Sequence, residues 1–125
     1  MYMKKSIVKN EESKGKELTQ AFVLWAETSK SGKEYLSGVT SEDLGKTRLV
    51  GFFNTNKKNP KEPDIRIYNL DKDNNQDKEI ADLWANESIN KKLYLSGVSD
   101  EKEKLVGFYN NTSDTKQPYI RVYFN

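Results

Sequence analysis

Two arginine–tyrosine pairs are the first residues in this chain with chemistry to offer. Arg66 and Tyr68 stand in Pro63-Asp64-Ile65-Arg66-Ile67-Tyr68, and Arg121 and Tyr123 in Pro118-Tyr119-Ile120-Arg121-Val122-Tyr123. In each run they alternate with Ile or Val. That two-residue period is a strand's, so arginine and tyrosine share the face opposite the apolar residues. A guanidinium beside a phenol ring stacks on bases and holds phosphates. The blander reading is a solvated strand face, or an arginine paired with a nearby carboxylate. The second basic feature is Asn56-Lys57-Lys58-Asn59-Pro60-Lys61. Lys57, Lys58 and Lys61 would meet phosphate or an acidic protein face, although charge runs are usually only solvated.

The carboxylates form no convincing pair. Glu42-Asp43 aligns with Asp100-Glu101, and both read as turn residues. A glycosidase needs two carboxyls at a fixed separation across a cleft, which nothing here suggests. Asp71-Lys72-Asp73-Asn74-Asn75 resembles a calcium loop but lacks its central glycine and its spaced glutamate. There is no GxGxxG, Walker loop or HExxH. Cysteine and histidine are both absent. That excludes disulfides, thiolate nucleophiles, Cys-ligated metal sites and the usual near-neutral general base. No metal or cofactor is expected.

The elements that must position these residues are small. The chain has 125 residues, 34% hydrophobic and 32% charged, with fourteen aromatics. That is enough for one lean core built largely on rings. Net charge is +2 and the pI about 8.6, thin support for a nucleic-acid binder. No apolar run approaches a membrane span and the first residues show no apolar leader, so the expected location is the cytoplasm.

An internal repeat organises the rest. LWAETSKSGKEYLSGV at 24–39 returns as LWANESINKKLYLSGV at 83–98, identical at ten of 16 positions. LVGFFN at 49–54 returns as LVGFYN at 105–110, and the two arginine–tyrosine runs are a third matching pair. Each unit reads as four short strands: 21–29, 34–40, 48–54 and 64–69, then 81–88, 93–99, 104–110 and 119–124. The boundaries are a mobile arm over 1–17, repeats at 18–70 and 80–125, and an acidic linker at 71–79. Residues Tyr2–Val8 are a candidate edge strand within the arm.

A two-residue turn at Ser31-Gly32 sets Trp25 opposite Gly38, and the second copy sets Trp84 opposite Gly97. The rings then pack over facing glycines, or the glycines make room for a ligand. Leu18, Ala21, Phe22 and Trp25 also fit helical spacing, so a short helix before one or both tryptophans is the alternative. The fold expected is all-β: two tandem four-stranded antiparallel repeats packed as a pseudo-two-fold sandwich or barrel with one shared core.

The motif Trp25, Ser29-Lys30, Gly32, Tyr35-Leu36-Ser37-Gly38, then Val50, Phe52, Asn54, then Pro63-Asp64, Arg66, Tyr68 resembles that of small uncharacterised β-proteins of phages and conjugative plasmids. The second copy departs from it at Ile89, Lys91 and Tyr119, which stand for Lys30, Gly32 and Asp64. The resemblance implies a mobile-element setting and no catalytic residues. The expectation is a non-catalytic binding protein: foremost a protein-binding inhibitor of a host defence complex, of the anti-CRISPR type. The partner is then a host or phage protein. The alternatives are a single-stranded nucleic-acid binder using Arg66, Tyr68, Arg121, Tyr123 and the lysine loop, and a structural phage protein assembling through exposed strand edges.

Overall fold

A computed structural model describes residues 18–111 and 113–125. Eight antiparallel strands run β1 (Thr19–Thr28), β2 (Glu34–Thr40), β3 (Arg48–Phe53), β4 (Ile65–Leu70), β5 (Gln76–Glu87), β6 (Leu93–Ser99), β7 (Lys104–Tyr109) and β8 (Ile120–Phe124). Each pairs with the next, and β1 pairs with β8, so the meander closes into a barrel. Both tryptophans lie within strands, and the described residues contain no α-helix; one 3-10 turn, Glu42–Leu44, follows β2. The expected arm over 1–17 and its edge strand fall outside the described residues. Within the acidic segment 71–79 expected as a linker, 71–75 joins the halves as a tight turn, and Gln76 already begins β5.

Apolar side chains fill the barrel interior. Leu24, Leu36, Leu49, Ile65, Ile67, Leu83, Leu95, Leu105, Ile120 and Val122 are all at most 2% exposed. They sit at alternate strand positions, which is what a closed sheet with one apolar face requires. Each fully buried Leu or Ile contributes about 1.5–3 kcal/mol relative to exposure.

The two halves pair alike. Leu36 faces Gly51 and Leu95 faces Gly107; Phe52 faces Arg66 and Phe108 faces Arg121. The irregularities in register occur only at the two seams joining the halves, between Gln20 and Phe22 and around Tyr68. Bulges bend a strand and increase its twist, which turns the corner needed for closure.

The hairpin register differs by one residue from the sequence expectation. Trp25 faces Ser37 and Trp84 faces Ser96, while Leu24 and Leu83 face Gly38 and Gly97. The cause is the turn. Gly32 N–H donates to Ser29 O at 2.9 Å, Gly32 takes φ +87°, and Ser29 N–H then donates to Lys33 O at 2.8 Å. This is a three-residue connection with one left-handed residue. Asn74, Lys91 and Lys102 hold the same position in three other turns, at φ 63°, 61° and 68°. Asp71, which gave the segment its calcium-loop look, instead accepts hydrogen bonds from the N–H groups of Asp73 and Asn75, both at 2.9 Å.

The one-residue change sends both tryptophans outward, half-buried. Trp25 Nε1 donates to Lys116 O at 3.3 Å and Trp84 Nε1 to Lys61 O at 3.0 Å, so each ring pins a loop of the other half. The Asn54 and Asn110 amides brace the same loops from within, donating to Pro63 O at 3.1 Å and Pro118 O at 3.2 Å. Much of the repeated motif is therefore scaffold.

Gly38 and Gly97 are required by close approach. A Cβ on Gly38 would overlap the Val23 carbonyl oxygen and lie 2.7 Å from Leu24 Cδ2; on Gly97 it would overlap the Asp82 carbonyl oxygen and lie 2.6 Å from Leu83 Cδ2. Gly38→Ala and Gly97→Ala are each expected to destabilise the fold by about 1–3 kcal/mol, read from denaturant melts. Lys91→Gly should do the reverse, by about 1 kcal/mol, because it relieves a left-handed non-glycine residue; an unchanged or lowered midpoint would contradict this.

Candidate binding surface

In an up-and-down barrel, alternate connections share an end. One pole collects the connections 29–33, 54–64, 88–92 and 110–119; the other collects 41–47, 71–75 and 100–103. The first pole carries Lys30 and Lys33, then Lys57, Lys58 and Lys61, then Lys91 and Lys92, then Lys116. Against these eight lysines stand Glu62, Asp64 and Asp114, an excess of five positive charges. The second pole carries Glu42, Asp43, Asp71, Asp73, Asp100, Glu101 and Glu103 against Lys46, Lys72 and Lys102, an excess of four negative charges. Strand ends temper both, Glu34 and Glu87 at the basic pole, Arg48 and Lys104 at the acidic one. Among the described residues the connections at the two poles thus carry opposite net charge, and such a field orients charged partners.

The residues singled out in the sequence do not form one site. Arg66 and Tyr68 lie on β4 and Arg121 and Tyr123 on β8, four strands apart whichever way round the barrel is counted. Each pair does sit on the outer face beside an aromatic. The Phe52 and Tyr68 rings are 6.0 Å apart, and the Phe108 and Tyr123 rings 6.1 Å. Arg66 Nη1 lies 3.9 Å from Glu79 Oε2, and Arg121 Nη2 donates to Gln117 Oε1 at 3.1 Å. Lys57 Nζ bonds Asp64 at 3.1 Å. Burial opposes ionisation of Asp64, but the Ala85 N–H and the Lys57 ammonium outweigh it and hold its carboxyl below the usual range. Lys58 and Lys61 hold the same loop through backbone N–H bonds to Glu62 and Asn59.

A broad groove lies elsewhere on the basic pole. It has a volume of about 780 Å³ and is lined by Ser88, Lys91, Lys92, Leu93, Tyr94, Phe108, Tyr109, Asn111 and Tyr119. Tyr109 and Tyr119 meet edge to face at 5.4 Å. Burial lifts the Tyr109 phenol above its usual range, and Tyr119 and Asp64 add to this, so it stays a neutral donor. Leu93 is 63% exposed and Ile89 fully so. Such a patch of apolar side chains with polar borders is typical of a contact surface.

These groove residues carried a signal in the sequence that the arginine–tyrosine runs obscured. They include the positions where the second repeat departs from the first: Lys91 stands for Gly32 and Tyr119 for Asp64. Leu93 likewise stands for Glu34. Departures between copies of one scaffold mark what the scaffold does not need.

The β4–β5 seam holds a second asymmetry. Glu79 and Asp82 flank Arg66 there, whereas the β8–β1 seam has Gln20 and Val23 in their places. Among the described residues, Glu79 Oε2 and Asp82 Oδ1 are buried atoms without a hydrogen-bond partner. Burial pushes the Glu79 carboxyl above its ordinary range, and the neighbouring Asp82 carboxyl pushes it further, against the pull of Arg66.

No protein-family model, curated protein or solved structure matches the chain. Among the described residues no cluster of three or more acidic side chains is placed to hold a metal ion, and no helix is long and apolar enough to cross a membrane.

The raised Glu79 carboxyl sets a pH dependence. The folded state holds its proton more tightly than the unfolded chain, so this group's contribution to stability falls as pH rises from the ordinary carboxylate range through the raised value. Glu79→Gln is therefore expected to melt higher than the parent at neutral pH, with the difference shrinking on acidification. A difference that is flat in pH would contradict the assignment.

Proposed function

We propose that the protein is a non-catalytic docking factor whose basic pole engages an acidic surface of a partner protein. The observation that carries this reading is the opposite charge of the connections at the two poles, with an aromatic-lined groove opening at the positive end. Exposed Ile89 and Leu93 beside the groove favour a protein partner, since aliphatic side chains pack on other side chains and offer bases no stacking face. Tyr and Phe rings of the kind lining the groove are the residues that anchor protein interfaces. The resemblance of the repeat motif to proteins of mobile elements is what would make that partner a host defence complex.

A single-stranded nucleic acid is the second reading, favoured by rings set among lysines. The pairing of Lys57 with Asp64 weighs against it.

A photo-crosslinking residue placed at Ile89, and in a separate variant at Asp73 on the opposite pole, tests the choice in cells that carry the protein. The expected result is one discrete protein adduct from position 89 and none from position 73. Adducts from position 73 alone, or nuclease-sensitive adducts from position 89, would overturn the reading. In parallel, labelled single-stranded DNA and RNA are titrated by anisotropy at two salt concentrations. Salt-steep binding that is lost in Arg66→Ala and Arg121→Ala would select nucleic acid instead.

A further inference from the structure

Resting on that reading, we propose that the groove of the second half is the site of selectivity. It takes an acidic stretch of extended polypeptide that inserts one aromatic or branched apolar side chain between Leu93 and the Tyr109–Tyr119 pair. The argument comes from the protein's own internal comparison. The first half presents the same scaffold with Gly32, Lys33, Glu34, Tyr35, Phe52 and Asp64 at positions equivalent to Lys91, Lys92, Leu93, Tyr94, Phe108 and Tyr119. Those six first-half positions carry one lysine and two carboxylates; the second-half six carry two lysines and no carboxylate. Between the halves the charge at these positions changes from −1 to +2, and the apolar groups Leu93 and Tyr119 replace the two anions.

In the first half Asp64 is turned back onto the barrel. It accepts from Ala85 N–H at 2.8 Å and pairs with Lys57 at 3.1 Å. Lys33 is likewise drawn over the Phe52 ring, at 6.0 Å from its centroid. The corresponding features of the second half are open: Leu93, Phe108 and Tyr119 are 63%, 45% and 40% exposed. Two lysines at the rim with no carboxylate among the groove's lining attract an anionic chain. The rings and Leu93 select an apolar side chain carried on it. A groove of about 780 Å³ is ample for one such side chain and its flanking backbone.

The test is a display selection of random peptides of about a dozen residues against the full chain. Counter-selection uses the Lys91→Gly, Tyr119→Asp double variant. Both substitutions install what the first half holds at the same place, and circular dichroism and melting confirm that the variant is folded. The expected peptides combine carboxylates with Trp, Phe, Leu or Ile. A synthetic copy should lose about tenfold or more in affinity when its carboxylates become amides, and as much again against the double variant. Enrichment of neutral or basic peptides, undiminished binding to the double variant, or no enrichment at all overturns the proposal. Displacement of the peptide by homopolymeric single-stranded DNA that binds more tightly would also overturn it. A self-association of the chain that dissolves in salt would assign the groove to the acidic pole of a second copy, and the proposal would fall. Protein adducts from position 89 alongside a failed selection would leave the docking reading standing and remove this one.

Discussion

Closure of the sheet is the constraint on which everything else depends. An eight-stranded barrel has an interior just wide enough for side chains to fill, and here ten Leu, Ile and Val residues fill it to at most 2% exposure. That leaves little freedom. Inner-face glycines must admit Leu24 and Leu83, the two seams must bulge to turn the corner, and every outward side chain is placed by the register that results. The tryptophans, although the most conspicuous residues in the repeat, serve this closure from outside. Each holds across a seam the long loop of the opposite half.

Closure also decides how the molecule can meet others. Each of the eight described strands has two hydrogen-bonded neighbours, so among the described residues the sheet presents no free edge to extend another sheet. Contacts of these residues then come from side chains on the wall or from the loops at the poles. On the wall the arginines are already engaged, Arg66 beside Glu79 and Arg121 with Gln117. At the poles the charge is concentrated and, in one place, set around open aromatic surface.

Much of the fold was legible in the residues. The matching blocks, the period-two runs and the turn residues between them mark eight strands, and the boundaries of β2 and β6 agree to the residue. The register was not legible, because Ser31-Gly32 is compatible with both a two-residue and a three-residue connection. A single residue of difference moves tryptophan from one glycine-facing position to a serine-facing one. Segment 71–79 was only partly legible for another reason. Its acids and asparagines look like a linker, and within it Asp71 caps a turn. The groove was visible only as a set of mismatches between the copies. The charge polarity was hidden because a linear sequence interleaves connections that the meander sends to opposite ends.

Thr19 at the start of β1 pairs with Phe124 at the end of β8, and the turn joining the halves lies at that same acidic pole. The chain therefore enters, crosses over and leaves on one side of the molecule. A circularly permuted chain, cut within 71–75 and rejoined across the ends of β1 and β8, would keep every strand neighbour while exchanging the order of the halves. The strand pairing alone therefore does not dictate which half comes first. Only the side chains that distinguish the halves give the barrel a front.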